Sequence, residues 1–299
     1  PDKIEAMLNT FTYKLPALIN ADFTAALEHW NGGSMISRIW QKDAAVWTGS
    51  DESKWLGWLD IVDEELADLQ KYRDLSADIA AAGFTDVLLM GMGGSSLCPE
   101  VLAMTFGKTD FHILDSTVPA QVTAVADRLD LERTLFIVAS KSGSTLEPNC
   151  FKQYFFERVS QLVGAENAGR QFIAITDPGS KMEQVAGKDG FRHIFYGKPQ
   201  IGGRFSALSA FGMTAAAAMG LDVGDLLTSS AEMVRACRGN DAGENPGAAL
   251  GLILGVCHSA GRDKLTILTS PEIHDLGAWM EQLVAESTGK NGVAIIPVD

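Results

Sequence analysis

The chain has 299 residues, 46% hydrophobic and 21% charged, the composition of an ordinary globular protein with room for about two domains. Its formal charge of −14 and pI near 4.8 exclude a broad nucleic-acid or anionic-membrane surface, because such partners need a basic face. A small anion needs only a local positive pocket, and Lys141, Arg204 and Lys290 each sit in glycine- or serine-rich surroundings that can supply one. Cys98, Cys150, Cys237 and Cys257 are widely spaced, with no CxxC pair and no His/Cys cluster at metal-ligand spacing. The expectation is therefore reduced thiols in a cytoplasmic protein, without a metal. No secretory leader pattern opens the chain, and its most apolar stretch, AALGLILGVC at 248–257, is too short to span a bilayer.

The first 80 residues carry helical patterning with Trp30, Trp40, Trp47, Trp55 and Trp58, and residues 1–56 are expected to form a helical lead-in. From residue 86 short apolar runs alternate with helical stretches: DVLLMG, FHILDS, TLFIVAS, QFIAITD and FRHIFYG. This grammar predicts an α/β domain over 57–222, its strands parallel and its sheet covered on both faces. LSAFGMTAAAAMG at 208–220, apolar almost all round, reads as a buried helix closing that unit. After it come an amphipathic helix from residue 222, a turn-rich linker at 239–247, the strand KLTILTS at 264–270, a helix through about residue 286 and the strand AIIPV. Residues 223–299 are thus expected to begin a second, incomplete α/β unit. Pro1 in place of a methionine, and an end in VAIIPVD, suggest a piece of a longer polypeptide.

Four segments carry candidate chemistry. In MGMGGSSLCP at 90–99, glycines permit close backbone approach to a ligand while Ser95 and Ser96 offer hydroxyls. A dinucleotide site competes here, since Asp115 ends the next strand, but the third glycine of that motif falls at Ser96. VASKSGSTLEPN at 138–149 crowds Ser140, Ser142, Ser144 and Thr145 around Lys141 and Gly143 after a strand. Hydroxyls and backbone N–H groups at a helix start suit a phosphate, although one such loop alone is equally a Ser/Thr-capped helix. IGGRFSALSA at 201–210 frees Arg204 to reach a ligand and stabilise an oxyanion, or leaves it a surface ion-pair partner. In HDLGAWMEQLVAESTGKNG at 274–292, Leu276, Trp279, Met280, Leu283 and Val284 mark a buried helical stripe. Glu286 falls at its border with Gln282 one turn earlier, so partial desolvation is expected to tune Glu286 as a base, against the bland alternative of a solvated carboxylate.

In their order, GMGGSSLCPE, SKSGSTLEPN, GGRFSALSA and EQLVAESTGK resemble the phosphoglucose isomerase family, with its sugar-isomerase (SIS) fold, over roughly residues 55–299. The resemblance implies a three-layer SIS sandwich and an aldose–ketose isomerisation of glucose 6-phosphate and fructose 6-phosphate through a cis-enediolate, without metal or other cofactor. It assigns Ser140, Lys141, Ser142 and Thr145 to the substrate phosphate, with backbone of 141–142 contributing. Gly94 and Ser95 would line the sugar, Gly203 and Arg204 would hold the enediolate, Gln282 would contact the reacting carbons, and Glu286 would be the base. The family's ring-opening histidine, contributed across a homodimer, and a C-terminal lysine both lie downstream of these motifs. None of His29, His112, His193, His258 and His274 stands in that histidine's motif, though His274 is near the base in sequence. The wording of the loops and the long lead-in are most similar to the isomerase half of a transaldolase fusion, which would place a transaldolase barrel before Pro1. A non-catalytic sugar-phosphate-binding SIS module and an isomerase for another sugar phosphate are the alternatives.

Overall fold

A computed structural model describes residues 11–299, so the first ten residues of the expected lead-in lie outside the described residues. Two helices, α1 (Ala17–Gly32) and α2 (Met35–Trp40), are followed by short 3₁₀ turns and by α3 (Ile61–Ala67) and α4 (Gln70–Ala82). The α/β unit then runs β1 (Asp86–Gly91), α5 (Leu97–Thr105), β2 (Phe111–Leu114), α6 (Pro119–Arg128), β3 (Thr134–Ala139), α7 (Leu146–Val163), the single turn α8 (Ala165–Ala168), β4 (Phe172–Thr176), α9 (Lys181–Lys188), β5 (His193–Tyr196) and α10 (Ala210–Ala218). The five strands form one sheet in the order β2-β1-β3-β4-β5, every pair parallel. This is the architecture the apolar runs predict.

The runs of the three inner strands β1, β3 and β4 read as unbroken rather than alternating because both sheet faces are covered there. All six residues of β3 and all five of β4 are buried. Successive side chains nonetheless go to opposite faces. Leu89, Ile137 and Ile175 join Tyr72, Leu75 and Phe211 from α4 and α10, whereas Leu88, Phe136 and Phe172 join Phe151 and Phe155 from α7 and Met182 from α9. All nine residues of α10 are buried, as a helix without a polar face must be. Local signals set the ends of the other helices. The Ser180 hydroxyl accepts from Glu183 N at 3.1 Å while the Glu183 carboxylate reaches back to Gly179 N, which together satisfy free amides at the start of α9.

The second unit comprises α11 (Val223–Cys237), α12 (Pro246–Ser259), β6 (Lys264–Thr266), α13 (Leu276–Thr288) and β7 (Ile296–Val298), with β6 and β7 paired in parallel. The lead-in does not stand ahead of this unit but packs into it. Phe23 and Ile36 share a buried cluster with Ala249 and Leu252 of α12, Trp40 Nε1 donates to the Cys237 carbonyl at 2.9 Å, and Ala242 N donates to Asn31 Oδ1 at 2.8 Å. The fully buried stripe expected on α13 is not found. Gly277 alone is buried there, and Leu276, Trp279, Met280, Leu283 and Val284 are each half-covered. A two-stranded sheet offers too little surface to enclose a helix. Among the described residues no helix is long and apolar enough to cross a membrane.

This packing can be tested at two places. Phe136 is fully buried between Phe172 and Phe155, at ring-centroid distances of 4.8 and 5.3 Å, so Phe136→Ala should lower unfolding free energy by about 3–5 kcal/mol in a urea titration. Asp78 of α4 ties the edge strand β5 to the helical layer: it accepts from Arg192 Nε and Nη2, both at 2.6 Å, and lies 2.7 Å from His193 Nε2. The Arg192 hydrogen bonds, aided by His193, hold its carboxyl at about 2, below the ordinary 3.8. A carboxylate with a depressed pKa stabilises the fold above its unfolded value and ceases to do so as it is protonated. The stability advantage over Asp78→Asn should thus be complete at neutral pH and shrink as pH falls through 3.8 toward about 2, read as the gap between their unfolding midpoints.

Candidate active site

Strand order locates the site. From β1 the chain steps outward to β2 and then returns to the far side of β1 to lay down β3, β4 and β5, so the loops after β1 and β3 open side by side at the strands' C-terminal edge. Such a switch point leaves a crevice in an open α/β sheet.

The loop after β3 is held rigidly from below. Gly143 has φ +66°, and a Cβ there would lie 2.4 Å from Met182 N, so the chain passes α9 where no side chain fits. Thr176 Oγ1 donates to the Ser140 carbonyl at 2.7 Å, and Asn149 Nδ2 donates to the carbonyls of Gly143 at 3.1 Å and Thr145 at 2.7 Å. Thr145 is the N-cap residue of the 18-residue α7, yet its side chain makes no capping hydrogen bond. The hydroxyl is thus left for something other than its own helix, which weakens the ordinary-cap reading of this loop. The Ser142 and Ser144 hydroxyls stand 2.8 Å apart at the same helix start, where backbone amides and the helix dipole favour an anion.

The loop after β1 meets the segment 203–205 backbone to backbone. A Cβ on Gly94 would lie 2.2 Å from the Gly203 carbonyl oxygen. That segment is one 3₁₀ turn, which delivers Arg204. The guanidinium lies 4.9 Å from the Phe205 ring centroid, and Trp58 stacks on Phe205 at 5.7 Å. Arg204 Nε donates to Ser287 Oγ at 2.9 Å, and its Nη1 is 3.5 Å from Glu286 Oε2. Gln282, one turn earlier on α13, donates through Nε2 to Glu286 Oε1 at 3.1 Å.

All ten residues that the family resemblance assigns, Gly94, Ser95, Ser140, Lys141, Ser142, Thr145, Gly203, Arg204, Gln282 and Glu286, line one cavity of about 510 Å³. Trp55, Met92, Ala139, Pro148, Asp177 and Pro199 complete it. Six buried side-chain polar atoms among the described residues lack a hydrogen-bond partner, and three of them, Ser140 Oγ, Asp177 Oδ1 and Gln282 Oε1, belong to this lining. Native interiors satisfy nearly all such atoms, so their concentration here marks a surface built for a polar ligand.

Three details refine the sequence reading. The Lys141 ammonium is already engaged, in an ion pair with Asp177 and a 3.1 Å hydrogen bond to the Lys198 carbonyl, leaving backbone and hydroxyls as the loop's uncommitted donors. The Glu286 side chain is 52% exposed, so it stands at the edge of the covered face of α13, with about half of its surface open to solvent. Lys290 does not line the cavity, and its ammonium donates to the Glu286 carbonyl. Of the features tied to a dinucleotide site, Ser96 is buried with its hydroxyl on the Gly93 carbonyl at 3.2 Å, and Asp115 does not line the cavity. His274 lines a separate cavity with His112 and Glu100. Asp177 was missed, yet it follows β4 as Ser140 follows β3, so the same edge rule points to it. No group of three His, Cys, Asp or Glu side chains among the described residues is arranged to hold a metal ion.

The backbone contact at Gly94 gives a direct prediction. Gly94→Ala must push the 203–205 turn away, which should destabilise the fold by about 1–3 kcal/mol in chemical unfolding.

Residues 62–295 match the family described as phosphoglucose isomerase. The glucose-6-phosphate isomerase of Methanocaldococcus jannaschii is 28% identical over 248 residues, which cover 81% of this chain and 58% of that protein. The glucose-6-phosphate isomerase of Gloeothece citriformis is 36% identical over 218 residues, 69% of this chain and 40% of that one. The chain thus spans about half the length of these relatives. Among solved structures, a hypothetical protein of Thermus thermophilus superposes with a TM-score of 0.75 at 25% identity, covering 96% of this chain and 68% of that one. The fold is shared with a glucose-6-phosphate isomerase from Chlamydia trachomatis, at a TM-score of 0.62, 23% identity, and coverage of 77% and 48%. The five-stranded parallel sheet, the cavity at its switch point and a match spanning most of the residues agree: this chain belongs to the phosphoglucose isomerase family.

Proposed function

We propose that this chain carries the substrate-binding and proton-transfer core of a cytoplasmic aldose–ketose isomerase that interconverts glucose 6-phosphate and fructose 6-phosphate. The observation that carries the reading is the placing of a carboxylate and a guanidinium 3.5 Å apart on one wall of the cavity that also holds the hydroxyl-rich loop. Isomerisation needs a base beside C2 and C1, a positive partner for the oxygen that becomes negative, and an anchor that fixes the far end of the chain.

The phosphate rests on the start of α7, taking hydrogen bonds from the hydroxyls of Ser140, Ser142 and Thr145 and from backbone amides of the 140–145 loop. Lys141, tied to Asp177, contributes backbone rather than its ammonium. Glu286 removes the C2 proton of the open-chain aldose as the C1 carbonyl accepts the electron pair, giving a cis-enediolate. Arg204, its guanidinium held by Ser287 and by the Phe205 ring, stabilises the negative oxygen. Gln282 orients Glu286 through its amide. A proton shift between O1 and O2, and return of the proton from Glu286 to C1, gives the ketose. Gly94, Ser95 and Gly203 border the sugar. The ring-opening histidine that the family resemblance implies, contributed across a homodimer, is assigned to none of His29, His112, His193, His258 and His274. On the wording of its loops and its lead-in, the chain is read as the isomerase part of a transaldolase fusion.

The test is a coupled assay for conversion of fructose 6-phosphate, on this chain and on a C-terminally extended form, each with Glu286→Gln. The variant should bind the sugar phosphate but lose about 10²- to 10⁴-fold in kcat. Unchanged turnover in Glu286→Gln overturns the base assignment. Retained turnover in Glu286→Gln with activity abolished by Arg204→Gln would favour a different proton acceptor in the same cavity.

A further inference from the structure

The cavity contains one residue that neither the four motifs nor the matched segment accounts for. Trp55 precedes the matched residues 62–295, yet it lines the cavity with Arg204, Gln282 and Glu286. It is the only aromatic side chain in that lining among the described residues.

The indole is a fixed part of the wall. Immediately after it, Leu56 pairs with Ile201 in an antiparallel bridge, Gly57 N donates to the Gln200 carbonyl at 3.1 Å, and Trp58 stacks on Phe205. Just before it, the Glu52 carboxylate accepts from Thr48 N at 3.0 Å and Ser50 N at 2.9 Å. Trp55 is therefore anchored on both sides, while 48% of its surface remains exposed. Its one polar atom is already engaged, because Nε1 donates to Asp51 Oδ2 at 3.3 Å. What the ring offers the cavity is apolar carbon and a π face. The rest of the lining supplies hydroxyls, an amide and two ion pairs, with smaller apolar surfaces from Met92, Ala139, Pro148 and Pro199. A phosphate gains nothing from an indole. A chain of C–H groups does, because their positive edges meet the negative π face.

We propose that Trp55 contacts the carbon chain of the bound sugar phosphate and sets the preference of this cavity for a longer polyhydroxylated chain over phosphate alone. The inference deepens the function proposed above and rests on it. The aromatic wall comes from the lead-in and the phosphate anchor from the α/β unit, so discrimination by chain length depends on a segment that the phosphate loops do not include.

The experiment measures binding to this chain by titration calorimetry, with 6-phosphogluconate, glycerol 3-phosphate and inorganic phosphate as ligands, for the native protein, Trp55→Ala and Trp55→Phe. An aromatic contact of the usual strength is lost as about a three- to tenfold rise in Kd. The expected result is that rise for 6-phosphogluconate in Trp55→Ala, a smaller one for glycerol 3-phosphate, none for inorganic phosphate, and recovery of most of the affinity in Trp55→Phe. Thermal unfolding of the two variants should match that of the native chain, since the side chain is half exposed. If Trp55→Ala binds 6-phosphogluconate as the native chain does, or loses inorganic phosphate to the same degree, the Trp55 assignment is overturned while the sugar-phosphate reading stands. If the native chain binds none of the three, the sugar-phosphate reading fails and the assignment with it.

Discussion

The site depends on one steric constraint, the approach of the Gly94 backbone to the Gly203 carbonyl at a distance that no side chain permits. This contact joins the loop after β1 to the turn that carries Arg204. Through Arg204 it reaches Ser287 and Glu286, and the amide of Gln282 packs against Gly93 on the same loop. Three segments far apart in sequence are thereby fixed to one another by main chain and short polar contacts. Preorganisation of this kind lets a cation and a carboxylate meet a reacting carbon without rearrangement at the moment of reaction.

Beneath that contact, the buried parallel sheet supplies rigidity. Its central strands β3 and β4 have no polar side-chain atom except at their ends, where Thr134 begins β3 and Thr176 ends β4. Thr176 is the useful exception: its hydroxyl, shared between the Ser140 carbonyl and Ser180 Oγ at 2.7 Å each, hands the order of the sheet to the hydroxyl-rich loop after β3. Packing thus turns into positioning within two residues of the strand end. The Lys141–Asp177 pair adds a second fastening across the same two strands, and it neutralises a charge that would otherwise compete for the cavity.

Much of this was legible in the sequence because the signals are local or follow a rule of topology. Five short, largely apolar runs marked five strands, and the rule that loops converge at the C-terminal edge brings 90–96 and 140–145 together. What escaped was set by distant packing. Nothing near Lys141 reveals that Asp177 takes its ammonium, and nothing near Trp55 reveals that the 200–205 turn pulls that residue to the cavity. Periodicity gave α13 its apolar face but could not say how much of that face would be covered, because coverage depends on distant packing, and among the described residues the adjoining sheet consists of β6 and β7.

The packing of the lead-in has a consequence for how the molecule is made. Trp40 bonds to the carbonyl of Cys237, and Asn31 caps the amide of Ala242, across separations of 197 and 211 residues. During synthesis α1 and α2 emerge long before α12, the surface they need, and the α/β sheet is translated in between. These two helices must therefore wait, apolar and unpartnered, while the α/β sheet behind them folds. Closing so large a loop is slow, and a waiting apolar segment is open to association with other chains. Helices α1 and α2 are made well before the surface that receives them.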